Sequence, residues 1–88
     1  DEARRRLFAF IDASPEIVLL KISPDGRQWS FRVAMSDRPL PDVVSVRIEP
    51  LGEDRAAIAI YSRAVGWGGG DRARQTARVK RWLAILRP

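Results

Sequence analysis

The sequence predicts an α+β fold, a two-layer sandwich in which a four-stranded antiparallel sheet bears an N-terminal and a C-terminal helix on one face. Apolar residues recur at helical spacing near both ends of the chain, whereas the stretch between them holds four short apolar segments separated by proline- and glycine-containing turns. Short connections favour antiparallel pairing of neighbouring strands. The predicted element order is therefore α-β-β-β-β-α, within one domain spanning residues 1–88.

The first helix is predicted over residues 2–12, where Leu7, Phe8 and Ile11 lie at helical spacing with arginines on the complementary side. Pro15 ends this pattern, and residues 16–23 are compact, apolar and β-branched, which favours a strand. The following Ser-Pro-Asp-Gly segment, 23–26, predicts a tight turn, because proline presets the turn's backbone angle and glycine accepts the left-handed one.

Three further strands are predicted from period-two alternation over residues 29–36, 44–49 and 55–63. A last helix is predicted over 71–88, with Asp71 capping its start. Its apolar face is predicted to hold Gln75, Thr76, Val79, Trp82, Leu83 and Leu86, with Arg74, Arg78 and Arg81 opposite. The core is predicted to comprise Trp29, Phe31, Val33, Val44, Val46, Ile58, Ile60, Val79, Trp82 and Leu83.

The net charge of +5 belongs to one segment of the chain. Residues 1–70 hold ten Lys/Arg against ten Asp/Glu, whereas residues 71–88 hold six against one. These cations form either a solvated helix face or a surface that attracts anionic partners. The hypothetical binding residues are Arg63, Trp67, Arg72, Arg74, Arg78 and Arg81.

The glycine cluster 66–70 before the last helix suggests a phosphate-binding turn, but neither the dinucleotide fingerprint nor the P-loop motif fits, because Asp71 stands where glycine or lysine is required. Trp67, within this cluster, either folds back on the sheet or contacts a partner. We interpret the segment as a strand-to-helix turn.

Catalysis has little support in the sequence. The chain has no histidine and no cysteine, which removes the commonest general base and the thiolate ligands, and we expect no cofactor and no metal. The carboxylates fall in predicted turns or loops, Asp42 among them, or singly on a strand, and solvation explains them. An enzyme using Ser62, Arg63 and Asp71 is the weakest hypothesis, because nothing would activate the hydroxyl.

Three segments resemble one known family. They are Tyr61-Ser62-Arg63-Ala64-Val65-Gly66, then Asp71-Arg72, then Arg78-Val79-Lys80-Arg81-Trp82-Leu83, and Pro41-Asp42-Val43 adds to the likeness. Together they resemble the bacterial domain-of-unknown-function family fourteen-ninety-nine, over roughly residues 3–86. The doubled Ser-Arg and the Asp-Leu-Gly-x-Asn loop of that family are changed here. The resemblance implies a fold, implies no particular reaction, and often goes with an upstream membrane or export segment.

The sequence therefore favours a non-catalytic binding or accessory module that acts through residues 61–81. The alternative is an anion-binding module, for nucleic acid or acidic lipid, using the basic C-terminal helix. An anionic ligand or a protein partner is expected at the glycine cluster and last helix. The abrupt helical start predicts further residues upstream of Asp1, and with them an uncovered sheet edge that favours a homodimer. The longest apolar run, 17–20, is too short to cross a bilayer, so the chain as given is expected to be soluble. Its location is expected to be cytoplasmic, or membrane-anchored or exported if an upstream segment carries a signal.

Overall fold

The computed structural model of this chain describes residues 2–36, 38–65 and 72–87. Its elements are α1 (Glu2–Asp12), β1 (Ile17–Ile22), β2 (Gln28–Val33), β3 (Asp42–Pro50), β4 (Ala56–Ala64) and α2 (Arg72–Leu86). The strands form one antiparallel sheet in the order β1-β2-β3-β4. The predicted α+β fold and the order α-β-β-β-β-α are confirmed.

Both helices lie on the same face of the sheet. The Phe8 ring of α1 meets the Trp29 ring edge-on, with centroids 5.7 Å apart, and the Trp82 ring of α2 lies 6.0 Å from that of Phe31. Trp29 and Phe31 are two residues apart on β2, so their side chains point to one side. We call the helix-covered side the inner face and the opposite side the outer face.

The core lies between the inner face and the helices. Of the predicted core residues, those on β2 and β3 and Trp82 are buried, Ile58 and Ile60 are partly buried and pack against them, and Val79 and Leu83 are only partly buried. The buried apolar residues are Ala3, Leu7, Ile17, Trp29, Phe31, Val33, Val44, Val46, Ile48, Trp82 and Leu86. α2 therefore meets the core mainly through Trp82 and Leu86, and the predicted face residue Thr76 is exposed.

The predicted turn between β1 and β2 is present. Gly26 has φ of 71°, in the left-handed region, and its N–H donates to the Ser23 carbonyl over 2.9 Å. The Ser23 hydroxyl in turn accepts from the Gln28 N–H over 3.1 Å, which fixes the start of β2. Glycine at this position avoids the steric penalty that a side chain would meet.

β1 is an edge strand that the helices leave uncovered. α1 packs against α2, and α2 packs against β4 at the far side of the sheet. Only Ile17 of β1 is buried, whereas Leu20 and Ile22 are each 52% exposed. The pairing with β2 shifts between Leu19 and Lys21, which leaves Leu20 without a partner of its own. The edge of the sheet at β1 is consequently both apolar and open.

Candidate functional site

The most unusual polar residue is Asp42, the first residue of β3. It pairs with Val33 on one side and Ala64 on the other, so it lies inside the sheet. It is two residues from buried Val44 and shares its inward direction, and it is only 1% exposed. The sequence-based interpretation of Asp42 as a solvated loop residue is therefore wrong. The strand begins directly after Pro41 and turns this carboxylate toward α2.

Two arginines of α2 neutralise the buried carboxylate. Arg74 donates from Nη2 to Oδ1 over 3.0 Å and from Nε to Oδ2 over 3.2 Å, a two-pronged arrangement. Arg78, one helical turn further along, donates from Nη1 to Oδ2. The side chains of Arg74 and Arg78 are only 19% and 11% exposed. The prediction that both arginines lie opposite the packed face of the helix is wrong, because residues 74 and 78 precede buried Trp82 at four-residue steps and so lie on the same side of α2.

Ser62 and Gln75 complete this group. The Ser62 hydroxyl donates to Gln75 Oε1, and Arg78 Nη1 donates to both of these oxygens over 3.3 Å. The other terminal nitrogen of Arg78 lies 3.1 Å from the sulfur of Met35. We call Asp42, Ser62, Arg74, Gln75 and Arg78 the Asp42 cluster. It joins β3 and β4 to the first half of α2.

The electrostatics of the cluster keep Asp42 ionised. Burial alone would raise the pKa of this carboxyl group, but the hydrogen bonds from Arg78 and Arg74 outweigh burial and hold its pKa below the usual value. The side-chain amide of Gln75 also contributes to lowering the pKa of Asp42. Its Nε2 atom is buried, and within the described part of the chain it forms no hydrogen bond of normal geometry. The cluster thus contains one carboxylate and two guanidinium groups.

The arrangement does not activate a nucleophile. The Ser62 proton goes to an amide oxygen, which is not a base, and its oxygen accepts from a guanidinium group. Both Asp42 oxygens are engaged by arginine donors and do not reach the hydroxyl as a general base would. Across residues 2–36, 38–65 and 72–87, no group of three acidic side chains could hold a metal ion. The chemistry of the cluster is that of a structural ion pair.

The structure separates the hypothetical binding residues. Arg74 and Arg78 belong to the Asp42 cluster, whereas Arg72 and Arg81 are exposed on α2. Arg63 pairs with Val43 and follows inward-facing Ser62, so it points to the outer face of the sheet. Trp67, with the glycine cluster 66–70 and Asp71, lies outside the described residues.

Sequence reasoning missed Asp42, Ser62 and Gln75 as a group. One signal was available for Asp42, because it continues the alternation of Val44, Val46 and Ile48 by one step. An aspartate on the apolar face of a predicted strand requires a buried partner. Two arginines four residues apart on the last helix were suitable partners.

A separate cleft of about 990 Å³ lies at the other end of the molecule, between the turn that follows β3 and the start of α1. Glu2, Arg5, Leu51 and Ile58 are among the residues that line it, and it includes no residue of the Asp42 cluster.

None of the described helices has both the length and the apolarity needed to cross a membrane. Comparison with protein-family models, curated proteins and solved structures finds no match to this chain.

Proposed function

We propose that this chain is a non-catalytic binding module, built on an α+β scaffold that the Asp42 cluster holds together. The observation that supports this most is the state of Ser62. Its hydroxyl, the one that could be drawn as a nucleophile, is hydrogen-bonded within the cluster and has no base. The polar side chains of the Asp42 cluster thus bind one another. The exposed cations outside the cluster remain available for contact with a partner.

We also propose that the chain shares the fold of the bacterial domain-of-unknown-function family fourteen-ninety-nine. Asp42, Ser62 and Arg78 come from three of the segments that resemble this family, and they meet in one cluster. Residues from distant segments that meet in the interior support a shared packing arrangement. On this proposal, Asp42, Ser62 and Arg78 maintain the fold, whereas exposed residues of the same segments remain available to a partner.

A second candidate is an anion-binding module that uses the exposed side of α2. Arg72, Lys80, Arg81 and the adjoining Arg87 are exposed, and within the described ranges none forms an ion pair. The sequence of α2 contains no carboxylate to compensate them. Such a surface attracts polyanions, with an affinity that falls as salt rises.

The absence of nucleophilic catalysis by Ser62 can be tested with a fluorophosphonate probe, which labels activated serines. We expect the intact protein to keep its unmodified mass, as a Ser62→Ala variant should. Labelling that maps to Ser62 and is lost in this variant would contradict the proposal.

The anion-binding candidate can be tested on heparin-agarose. Retention at roughly 0.1 M salt is the expected sign of charge-driven binding, and recovery in the flow-through would argue against it.

A further inference from the structure

The outer face of the sheet, which no described helix covers, has an uneven distribution of charge. The strand register places Arg32 and Arg63 on either side of Val43 in one row across the sheet. The next row runs from Lys21 through Ser30 and Ser45 to Tyr61. Lys21, Arg32 and Arg63 are exposed, and Tyr61 is 65% exposed. We call Lys21, Arg32, Tyr61 and Arg63 the outer-face patch.

The cations of this patch are uncompensated. Throughout the described ranges, none of the three forms an ion pair, and Glu16, just before β1, does not pair with them. The other end of the outer face is different, because Arg47 binds Asp25 over 2.8 Å and also Glu49. Arg27 binds Glu49 as well, over 3.2 Å. One half of the face is thus neutral, whereas the three cations of the patch form no ion pair with a described carboxylate.

The centre of the patch is low and polar. Ser30 and Ser45 are directly opposite each other, and their hydroxyl groups lie 3.0 Å apart. Small side chains at these two positions leave the longer side chains of Lys21, Arg32, Arg63 and Tyr61 standing above them. Ser30 is only 8% exposed and Ser45 is half-buried, so this hydroxyl pair lies beneath the surrounding cations and aromatic ring.

The spacing of the patch suits an extended polyanion. Arg32 and Arg63 are separated by two strand intervals of about 4.8 Å, so their backbones lie about 10 Å apart. Tyr61 and Arg63 are two residues apart on the same side of β4, which separates their backbones by roughly 7 Å. Tyr61 and Arg63 are therefore adjacent on β4, at one edge of the sheet. Arg32 on β2 and Lys21 on β1 lie further across the same face.

We propose that the outer-face patch binds single-stranded nucleic acid, with an unpaired base stacked on Tyr61 and phosphates held by Lys21, Arg32 and Arg63. This rests on the proposed function as a binding module and names its ligand class. A cationic surface with an exposed aromatic ring is the general requirement for binding single strands. A duplex keeps its base faces stacked and offers none to Tyr61, and the exposed side of α2 has the cations without an aromatic residue.

The experiment is fluorescence anisotropy with a labelled oligouridylate of about 12 nucleotides, within the site sizes typical of such surfaces. The sheet variant is Arg32→Gln with Arg63→Gln. Its matched control is the helix variant, Arg72→Gln with Arg81→Gln, which removes the same charge from exposed positions of α2. All four arginines are exposed, so circular dichroism should show that both variants fold like the parent protein.

We expect the sheet variant to bind at least tenfold more weakly at low salt and the helix variant to change by less than about threefold. Each phosphate contact on a single strand contributes roughly 0.7 to the salt slope. The slope should therefore fall from about 2.1 to about 0.7 in the sheet variant and stay unchanged in the helix variant. Tyr61→Ala should weaken binding by about 5- to 150-fold, the effect of losing one stacked base, whereas Tyr61→Phe should retain it.

Several outcomes would overturn the inference. Unchanged affinity in Tyr61→Ala, or tighter binding to duplex than to single strand, would contradict base stacking. Binding to vesicles containing phosphatidylserine without binding to the oligonucleotide would assign the patch to a membrane surface. Loss of binding in the helix variant alone would move the site to α2 and leave the binding-module proposal intact. Labelling of Ser62 by the fluorophosphonate would instead contradict the proposed function itself.

Discussion

Replacing Asp42 by asparagine should destabilise the protein severely, because it removes the negative charge that two inward-facing guanidinium groups share. Breaking a buried ion pair by removing one partner typically costs about 3 to 5 kcal/mol. Arg74 and Arg78 retain 19% and 11% of their side-chain exposure, so some hydration remains and the lower end, about 3 kcal/mol, is expected. A chain of 88 residues is ordinarily stable by about 4 to 13 kcal/mol. The variant should therefore lose a large part of its stability.

The assay is urea unfolding followed by tryptophan fluorescence, since Trp29 and Trp82 are both buried. Asp54→Asn is the matched control, because it makes the same chemical change at an exposed turn residue and should stay within about 0.5 kcal/mol of the parent protein. A triple variant, Asp42→Leu with Arg74→Met and Arg78→Met, replaces the ions with apolar groups and should recover much of the loss. A loss below about 1 kcal/mol in Asp42→Asn, comparable with the control, would refute the structural role of the cluster.

Three further predictions follow from the packing and the charges. The lowered pKa of Asp42 contributes stability that is present above the unfolded pKa of about 3.9 and is lost as pH falls through the folded pKa. The free energy of unfolding of the parent protein should therefore fall on acid titration. The same dependence of this free energy on pH in Asp42→Asn would argue against this role. Trp82→Ala should lower the free energy of unfolding by about 3 to 5 kcal/mol, because the ring is buried against Phe10 and Phe31. A loss below about 1 kcal/mol would contradict the assignment of Trp82 to the core. Self-association through the open β1 edge stays a prediction: the mass from light scattering should rise with concentration and fall in Ile22→Lys, and a monomeric mass throughout the series would contradict it.

The helices, strands and their order could be predicted because each is encoded locally. Period-two alternation in β2 and β3 and helical spacing in α1 and α2 require no knowledge of the rest of the chain. The inward direction of Arg74 and Arg78 was also available locally, because both precede Trp82 at four-residue steps and lie on its side of the helix. Their partner was not, since Asp42 lies more than thirty residues earlier in the chain.

The placement of β1 was also beyond local reasoning. Its sequence, with four consecutive apolar residues at 17–20, is typical of a covered strand. The structure instead puts β1 at the edge of the sheet, because each strand pairs with the next one along the chain, and α2 lies beside β4 at the opposite edge. Arg63 illustrates a related point, since its strand was predicted but the pairing that brings it beside Arg32 on the outer face depends on the sheet register.

The Asp42 cluster also has a consequence for the timing of folding during synthesis. Arg74 and Arg78 are added 32 and 36 residues after Asp42, so the sheet strands are all translated before their buried charge has a counterion. At a synthesis rate of about 5 to 20 residues per second, the nascent chain spends roughly 2 to 7 seconds in this condition. Until α2 has been made, water must remain around Asp42 and the inner face stays unsealed. Because the core residues Trp82 and Leu86 also lie on α2, the core and the counterions of Asp42 are completed together when this helix arrives.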